Sequence, residues 1–397
     1  MLSGTNLEYA RSHNRRVVLE AIRLHAPISR ADIARKTGLT LQAVSNIVTE
    51  LMEMGIVQAL GKKLGGRGQP PLELQLKPDG AFSIGLHLDR DHVMGLIMDL
   101  SRNVKGKIIY DLNFPTPDRA IPLFLHMIEQ LSETSGIDKS RIWGVGVALP
   151  GPLETHTGKL LSPPNFPGWD GFSFRESLEK HTPYPIFIEN DSTSAAIGER
   201  WYGVGRHTRD YFYLYFGVGL GGGMVLNGEI YHGAWGNTAE IGHIPVVKDG
   251  RPCTCGGQGC LERYVSLAAF FEDMEREGIH LSKIEEVLPL FEAGHPAVHK
   301  WVDQAVDYLC MALITIENLL NPDVICMGGR LPDPMVDHLL ERLKKRLPHL
   351  GMQGMARHAR LERAELSWEA ACFGAASLPF VEGAAPSTEV LMKKVRE

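Results

Sequence analysis

No run of apolar residues in this 397-residue chain reaches the length of a membrane span, and the opening stretch "MLSGTNLEYARSHNRR" lacks the apolar core of a secretory leader. Cysteine is scarce. There are six, three of them crowded into residues 253–260, which is not the pattern of a disulfide framework. Cys310, Cys326 and Cys372 sit among apolar neighbours and read as reduced core residues. No internal repeat is visible. These absences argue against an integral membrane protein and a disulfide-stapled secreted one, and point to a reducing cytoplasm. A hydrophobic content of 44% and a charged content of 22% are those of a globular protein, and the length predicts two or three domains.

Charge is unevenly spread. Residues 1–70 hold ten Lys or Arg against five Asp or Glu, a net of +5, while the whole chain is −6, leaving −11 for residues 71–397. A small basic module on a larger acidic body suggests a polyanion-binding end. Within it, "RRVVLEAIRLHAPISRADIARKTGLTLQAVSNIVTELMEMGIV" predicts three helices. The first covers roughly 12–24 and is stopped by Pro27. Ser29 with Asp32 offers a capping box for the second, which Gly38 ends. Thr40 caps the third, which Gly55 terminates.

Helix, glycine turn and capped helix form a helix-turn-helix pattern. Gln42, Ser45, Asn46 and Thr49 face away from the third helix's apolar stripe, where short amides and hydroxyls can reach base edges; Arg30 and Lys36 can hold phosphates. "IVQAL" and "LELQL", joined by "GKKLGGRGQPP", read as a wing with Arg67 at its tip, suited to a narrow minor groove. The alternative is a helical protein-interaction module.

In "CTCGGQGCLER", Cys253, Cys255 and Cys260 stand ten residues and more after His243 of "GNTAEIGHIPV". Three thiolates and one imidazole suit tetrahedral zinc, and four protein ligands leave no open position for a substrate, so one structural zinc per chain is expected.

After "KPDG" strands and helices alternate, the mark of a layered α/β fold. Strands are predicted at "AFSIGLHL", "HVMGLIMDL", "KGKIIYDL", "IWGVGVAL", "YPIFIEN", "DYFYLYFGVG", "GGMVLNG" and "DVICMGG", with helices near 120–135, at "DSTSAAIGERW" and at about 297–320. The motifs "GVALPGPL", "SPPNFPGW", "IENDSTSAA", "GVGLGGG", "AEIGH", "CTCGGQGCLE" and "NPDVICMGGR" resemble, in order and spacing, the ROK family of repressors and sugar kinases over residues 80–380.

That resemblance implies a winged helix-turn-helix followed by a two-lobed, actin-like (ribonuclease H-like) domain with a ligand cleft between lobes. The domains are expected at 1–78, 79–195 and 196–385, with a tail at 386–397. It further implies that Asn165, Asn190, Asp191, Glu240, His243 and Glu262 hydrogen-bond a sugar, Asp191 standing where the kinases have their general base. The kinases carry Asp-x-Gly-Gly-Thr where this chain has "GLHLDRDHV". His87, Asp89, Arg90 and Asp91 replace the aspartate, the two glycines and the threonine, which opposes binding of ATP phosphates. The expectation is therefore a sugar-responsive regulator, a repressor, that is not an enzyme, acting as a homodimer or homotetramer on a two-fold operator in double-stranded DNA. The competing readings are a residual sugar kinase and a regulator controlled by a protein partner.

Overall fold

A computed structural model describes residues 7–62, 72–134, 136–154, 157–163, 166, 168–349 and 359–382. The N-terminal module contains α1 (Leu7–His25), β1 (Ile28–Ser29), α2 (Arg30–Thr37), α3 (Leu41–Glu53), β2 (Val57–Lys62) and β3 (Leu72–Leu76). Helix α1 begins earlier than its apolar periodicity alone indicates. The Asp32 N–H donates to Ser29 Oγ (3.2 Å), whose hydroxyl donates back to Asp32 Oδ2 (2.8 Å). Thr40 Oγ1 accepts from the Ala43 N–H (3.2 Å) at the start of α3. Gly38 takes φ +71° to end α2, a conformation that side-chain-bearing residues resist. Val18, Ile22, Ile33, Val44, Val48 and Leu51 form the shared core. The strands pair antiparallel in the order β1-β3-β2, so the helix-turn-helix is followed by a β-wing. The wing tip, with Arg67, lies outside the described residues.

The body begins with β4 (Phe82–Leu88), β5 (His92–Asp99), β6 (Val104–Asp111), α4 (Pro117–Ser132) and β7 (Ile142–Leu149). A small hairpin of β8 (Leu153–Glu154) and β9 (Lys159–Leu160), α5 (Phe174–Glu179), β10 (Ile186–Asn190) and α6 (Asp191–Tyr202) complete the first half. Its sheet has the order β10-β7-β4-β5-β6, in which β4, β7 and β10 run parallel and β4, β5 and β6 antiparallel. Every residue of β4 and β5 is buried, as expected of strands covered on both faces, whereas edge strand β6 is not.

The second half runs β11 (Tyr211–Phe216), β12 (Leu220–Leu226), β13 (Glu229–Ile230), α7 (Glu262–Val265), α8 (Leu267–Arg276), α9 (Val287–Glu292), α10 (Pro296–Leu320), β14 (Val324–Gly329), α11 (Asp333–Arg346), β15 (Arg360–Arg363) and α12 (Ala370–Glu382). Its sheet order, β13-β12-β11-β14-β15, is the same topology again: an antiparallel meander of three strands followed by two parallel additions. The repeat is carried by topology, not by any repeated sequence.

The helix that closes each half crosses to the other. Helix α6 packs on β11 and β12, while α12 packs on β4 and β7. The two helices touch through glycines. A Cβ on Gly374 would fall 1.6 Å from Ser194 O, and one on Gly198 would fall 2.6 Å from Ala370 O. The lobes are thereby clasped, with the cleft between them.

Candidate functional site: the interlobe cleft

A cavity of about 520 Å³ opens between the lobes, a volume suited to a small ligand. Asn190, Asp191, Glu240, His243 and Glu262 all line it; Asn165 lies outside the described residues. Asn190 ends β10 and caps α6, its Oδ1 accepting the N–H groups of Ser192 and Thr193 (both 3.1 Å). Asp191 follows as the first residue of the helix and accepts from the Ser192 N–H (2.7 Å). Burial, then the charge of Asp89, pushes its carboxyl up to about 7, against the lowering effect of Arg90 and the Ser192 N–H. Burial, partly offset by His243, also raises Glu240. Glu240 and His243 bracket a single 3₁₀ turn, Ile241–His243, whose three-residue repeat stacks them on one side.

Two lining residues escaped the sequence reading. Asn237 Oδ1 accepts the Leu153 N–H (3.0 Å), tying the loop before Glu240 to the opposite lobe. Its only signal was an amide in a glycine-bounded loop. Tyr215 lines the cleft with a buried hydroxyl that has no hydrogen-bond partner among the described residues. An all-buried aromatic strand conceals such a group. The turn "GVGLGGG" borders the cleft, yet its later glycines also answer to packing: a Cβ at Gly223 would lie 2.5 Å from Ala196 Cβ.

His243, Cys253, Cys255 and Cys260 converge, with one ligand atom of each within 4.8 Å of the others. His243 Nδ1 is 3.6 Å from Cys253 Sγ, and Cys255 Sγ is 3.7 Å from Cys260 Sγ. Tetrahedral zinc, with Zn–S near 2.3 Å and Zn–N near 2.0–2.1 Å, sets edges of about 3.5 Å for N···S and about 3.7 Å for S···S. The donor set therefore fits a metal ion in both chemistry and spacing. Glu262 Oε1 lies 3.0 Å from Cys253 Sγ, so the cluster abuts a cleft residue directly.

The β4–β5 turn carries Asp89, Arg90 and Asp91. Arg330, at the end of β14 on the other lobe, places Nη1 2.6 Å from Asp91 Oδ2 and 3.6 Å from Asp89 Oδ2. His92 Nδ1 is 2.7 Å from Asp91 Oδ1. Burial opposes ionisation of Asp91, but the His92 and Arg330 contacts prevail and hold it well below the usual carboxylate range. His87 is fully buried with neither ring nitrogen hydrogen-bonded among the described residues, and burial pushes its pKa down to about 3. Arg330 was also missed; a lone charge following the two glycines of "ICMGGR" was the available clue.

On the N-terminal module Lys36, Gln42, Asn46 and Thr49 are exposed and Ser45 half-buried. Gln42 Nε2 donates to Asn46 Oδ1 (2.9 Å), and the Thr49 hydroxyl donates to Ser45 O (2.9 Å). Arg30 is half-buried, with Nη2 3.8 Å from Met52 Sδ. Among the described residues no helix is long and apolar enough to cross a membrane.

Residues 11–58 match the winged helix-turn-helix DNA-binding family, and residues 83–380 match the ROK family. The xylose repressor of Bacillus subtilis is 27% identical over 338 residues, covering 83% of this chain and 85% of that one. A glucokinase of Halalkalibacterium halodurans is 32% identical over 253 residues, 59% of this chain and 76% of that one. In fold, the crystal structure of a ROK family transcriptional regulator, a homologue of the Escherichia coli Mlc protein, aligns with a TM-score of 0.79 at 23% identity over 94% of this chain and 96% of that one. With both matches in place over the described architecture, the chain belongs to the ROK family and carries an N-terminal winged helix-turn-helix.

Proposed function

We propose that this protein is a sugar-responsive, DNA-binding transcriptional repressor whose interlobe cleft takes a sugar without phosphorylating it. The observation that carries this reading is the convergence of Asn190, Asp191, Glu240, His243 and Glu262 on one cleft in a chain that also presents a recognition helix. Paired hydroxyls need such a ring of amides and carboxylates. Asn165 is assigned to the same ring. In this reading Gln42, Ser45, Asn46 and Thr49 face bases, Arg30, Lys36 and Arg67 face the DNA backbone and minor groove, and zinc on His243, Cys253, Cys255 and Cys260 holds the Glu262 side of the cleft in shape. A cytoplasmic homodimer or homotetramer on a two-fold operator follows.

Against phosphoryl transfer stands the β4–β5 turn. A phosphate cradle depends on bare glycine backbone, whereas here Asp89 and Asp91 bring negative charge and Arg330 engages them. The kinase alternative draws on the glycines of the Gly217–Gly223 turn, which remain beside the cleft. Titrating an operator complex with a panel of monosaccharides and their phosphates, alongside a coupled ADP assay, tests the proposal. Sugar-dependent release with no ADP supports it; steady sugar-dependent ADP production overturns it.

A further inference from the structure

Helix α6 touches both ends of the proposed signal. Asp191, its first residue, lines the cleft, and Arg200 and Trp201, in its last turn, meet α1 of the DNA-binding module. Arg200 Nη2 is 2.9 Å from Glu20 Oε1. Arg23 donates from Nη1 to Trp201 O (2.6 Å), lays its guanidinium 4.5 Å from the centre of the Trp201 ring, and grips the same Glu20 at 2.7 and 2.8 Å. Arg23 is almost completely buried, so this is a built joint and not a surface encounter. Arg200 stands nine positions after Asp191, about 14 Å along the continuous helix.

Between those ends α6 has little freedom to bend or slide alone. Ser192 through Glu199 are all buried, and the glycine contacts with α12 bring the two helices to backbone distance. Glu199, fully buried, accepts from the Val204 N–H (2.9 Å) and the Leu366 N–H (2.7 Å), fixing the carboxyl end of the helix to the approach to α12. The joint with α1 is packed differently. Beside the Glu20 contacts a cavity of about 190 Å³ remains, bounded by Val17 and Leu19 of α1 and by Ile197, Trp201, Ile230 and Phe380 of the body. Close-packed interfaces move between discrete arrangements, and an unfilled space beside a polar pivot gives α1 somewhere to go.

We infer that α6 is the element that couples the cleft to the DNA-binding module, with Glu20, Arg23, Arg200 and Trp201 as its output joint. The inference rests on the regulator reading above. Ligand contact at Asp191 biases the position of α6 with α12, and the joint passes that bias to α1.

The test uses the full chain. Operator affinity is measured by fluorescence anisotropy for wild type, Arg200→Met and Arg23→Lys, with and without D-xylose and D-glucose as probes, and sugar affinity is measured by calorimetry. Arg200→Met keeps the apolar stem and leaves Glu20 neutralised by Arg23; Arg23→Lys keeps the charge and loses the carbonyl and ring contacts, so either variant suffices if the other does not fold. The expected result is intrinsic operator and sugar affinities near wild type, with the sugar's effect on operator affinity reduced about fivefold or more. Full retention of that effect in a folded variant overturns the inference. If neither probe shifts wild-type operator binding, the regulator reading is what fails for these sugars, and the joint is then judged without ligand by a cycle of Asp191→Asn and Arg200→Met on operator affinity. A coupling between positions this far apart supports transmission along α6, and strict additivity overturns it.

Discussion

Arg330 and Asp91 stand on opposite lobes, and Arg330 Nη1 lies 2.6 Å from Asp91 Oδ2. The guanidinium is largely buried and also faces Asp89, which is buried almost completely. Removing Arg330 leaves the buried Asp89 carboxylate without this counter-charge, a cost beyond the lost attraction, while the part-exposed Asp91 keeps access to water. Arg330→Ala is expected to destabilise the protein by about 3 kcal/mol in thermal or urea unfolding. Arg330→Lys should restore only part of this, since a strongly hydrated ammonium on a flexible stem replaces the planar guanidinium that sets Nη1 between the two carboxylates. A stability equal to wild type in Arg330→Ala would mean the contact is not maintained in solution.

Purified protein should contain one zinc per chain. Cys255→Ser removes one thiolate from a loop with few apolar residues to order it, so zinc content should fall well below one and sugar affinity should fall with it. Elemental analysis and calorimetry on the same preparation check both. Full zinc with normal sugar affinity would separate Cys255 from the site.

Asp191 gives a pH prediction with a definite sign. Its carboxyl, near 3.8 when unfolded, is raised to about 7 when folded. The folded state therefore holds this proton more tightly, and the stabilisation is full below pH 4 and lost as pH rises through 7. Asp191→Asn, neutral throughout, should gain in melting temperature relative to wild type between pH 4 and pH 7, with no further gain above. Sugar affinity of the wild type follows the folded-state carboxyl instead and should rise as pH passes through about 7, where the ionised acceptor forms. Asp191→Ala should weaken sugar binding about ten- to a hundredfold, or about 1.5–3 kcal/mol.

The Gln42–Asn46 pair lies on the exposed face of α3. Asn46→Ala is expected to cost about 1–3 kcal/mol against the preferred base pair and to leave nonspecific binding nearly unchanged. Lys36→Ala should instead weaken all sequences alike and lower the salt dependence of binding by about one ion. Gel shifts at two salt concentrations with matched and mismatched operators distinguish the two.

Ala239 holds φ +61° immediately before Glu240, a left-handed conformation that its Cβ resists. Ala239→Gly should relieve about 1 kcal/mol of strain, less the added flexibility of the unfolded chain, and raise the melting temperature slightly. A lowered melting temperature would show that the strain is not borne at this residue.

Much of this was legible in the residues. Caps such as Ser29 and Thr40, and the predominantly apolar strands β4, β7 and β14, announce themselves by local chemistry that tertiary contacts did not override. Asn190, Asp191, Glu240 and Glu262 were legible through the resemblance of their motifs to the ROK family, and His243 with the cysteines through spacing. Arg330, Asn237 and Tyr215 were not, since each acquires meaning only from a partner on another element. The reciprocal placement of α6 and α12 was hidden for the same reason. A linear division near residue 195 describes chain order, while α12 returns from beyond it to lie on the first sheet.

That return dictates an order of assembly during synthesis. The face of β4 and β7 that receives α12 has glycines cut to it: a Cβ on Gly85 would sit 2.4 Å from Cys372 O, and one on Gly146 would sit 1.8 Å from Ala375 O. Those strands leave the ribosome more than two hundred residues before the helix that covers them. The DNA-binding module can mature early, but the lobe next to it stays open on one side until α12 has been made. A message cut short before residue 370 would therefore yield a protein that damages its beginning as much as its end, and newly made chains should depend most on chaperones in that interval.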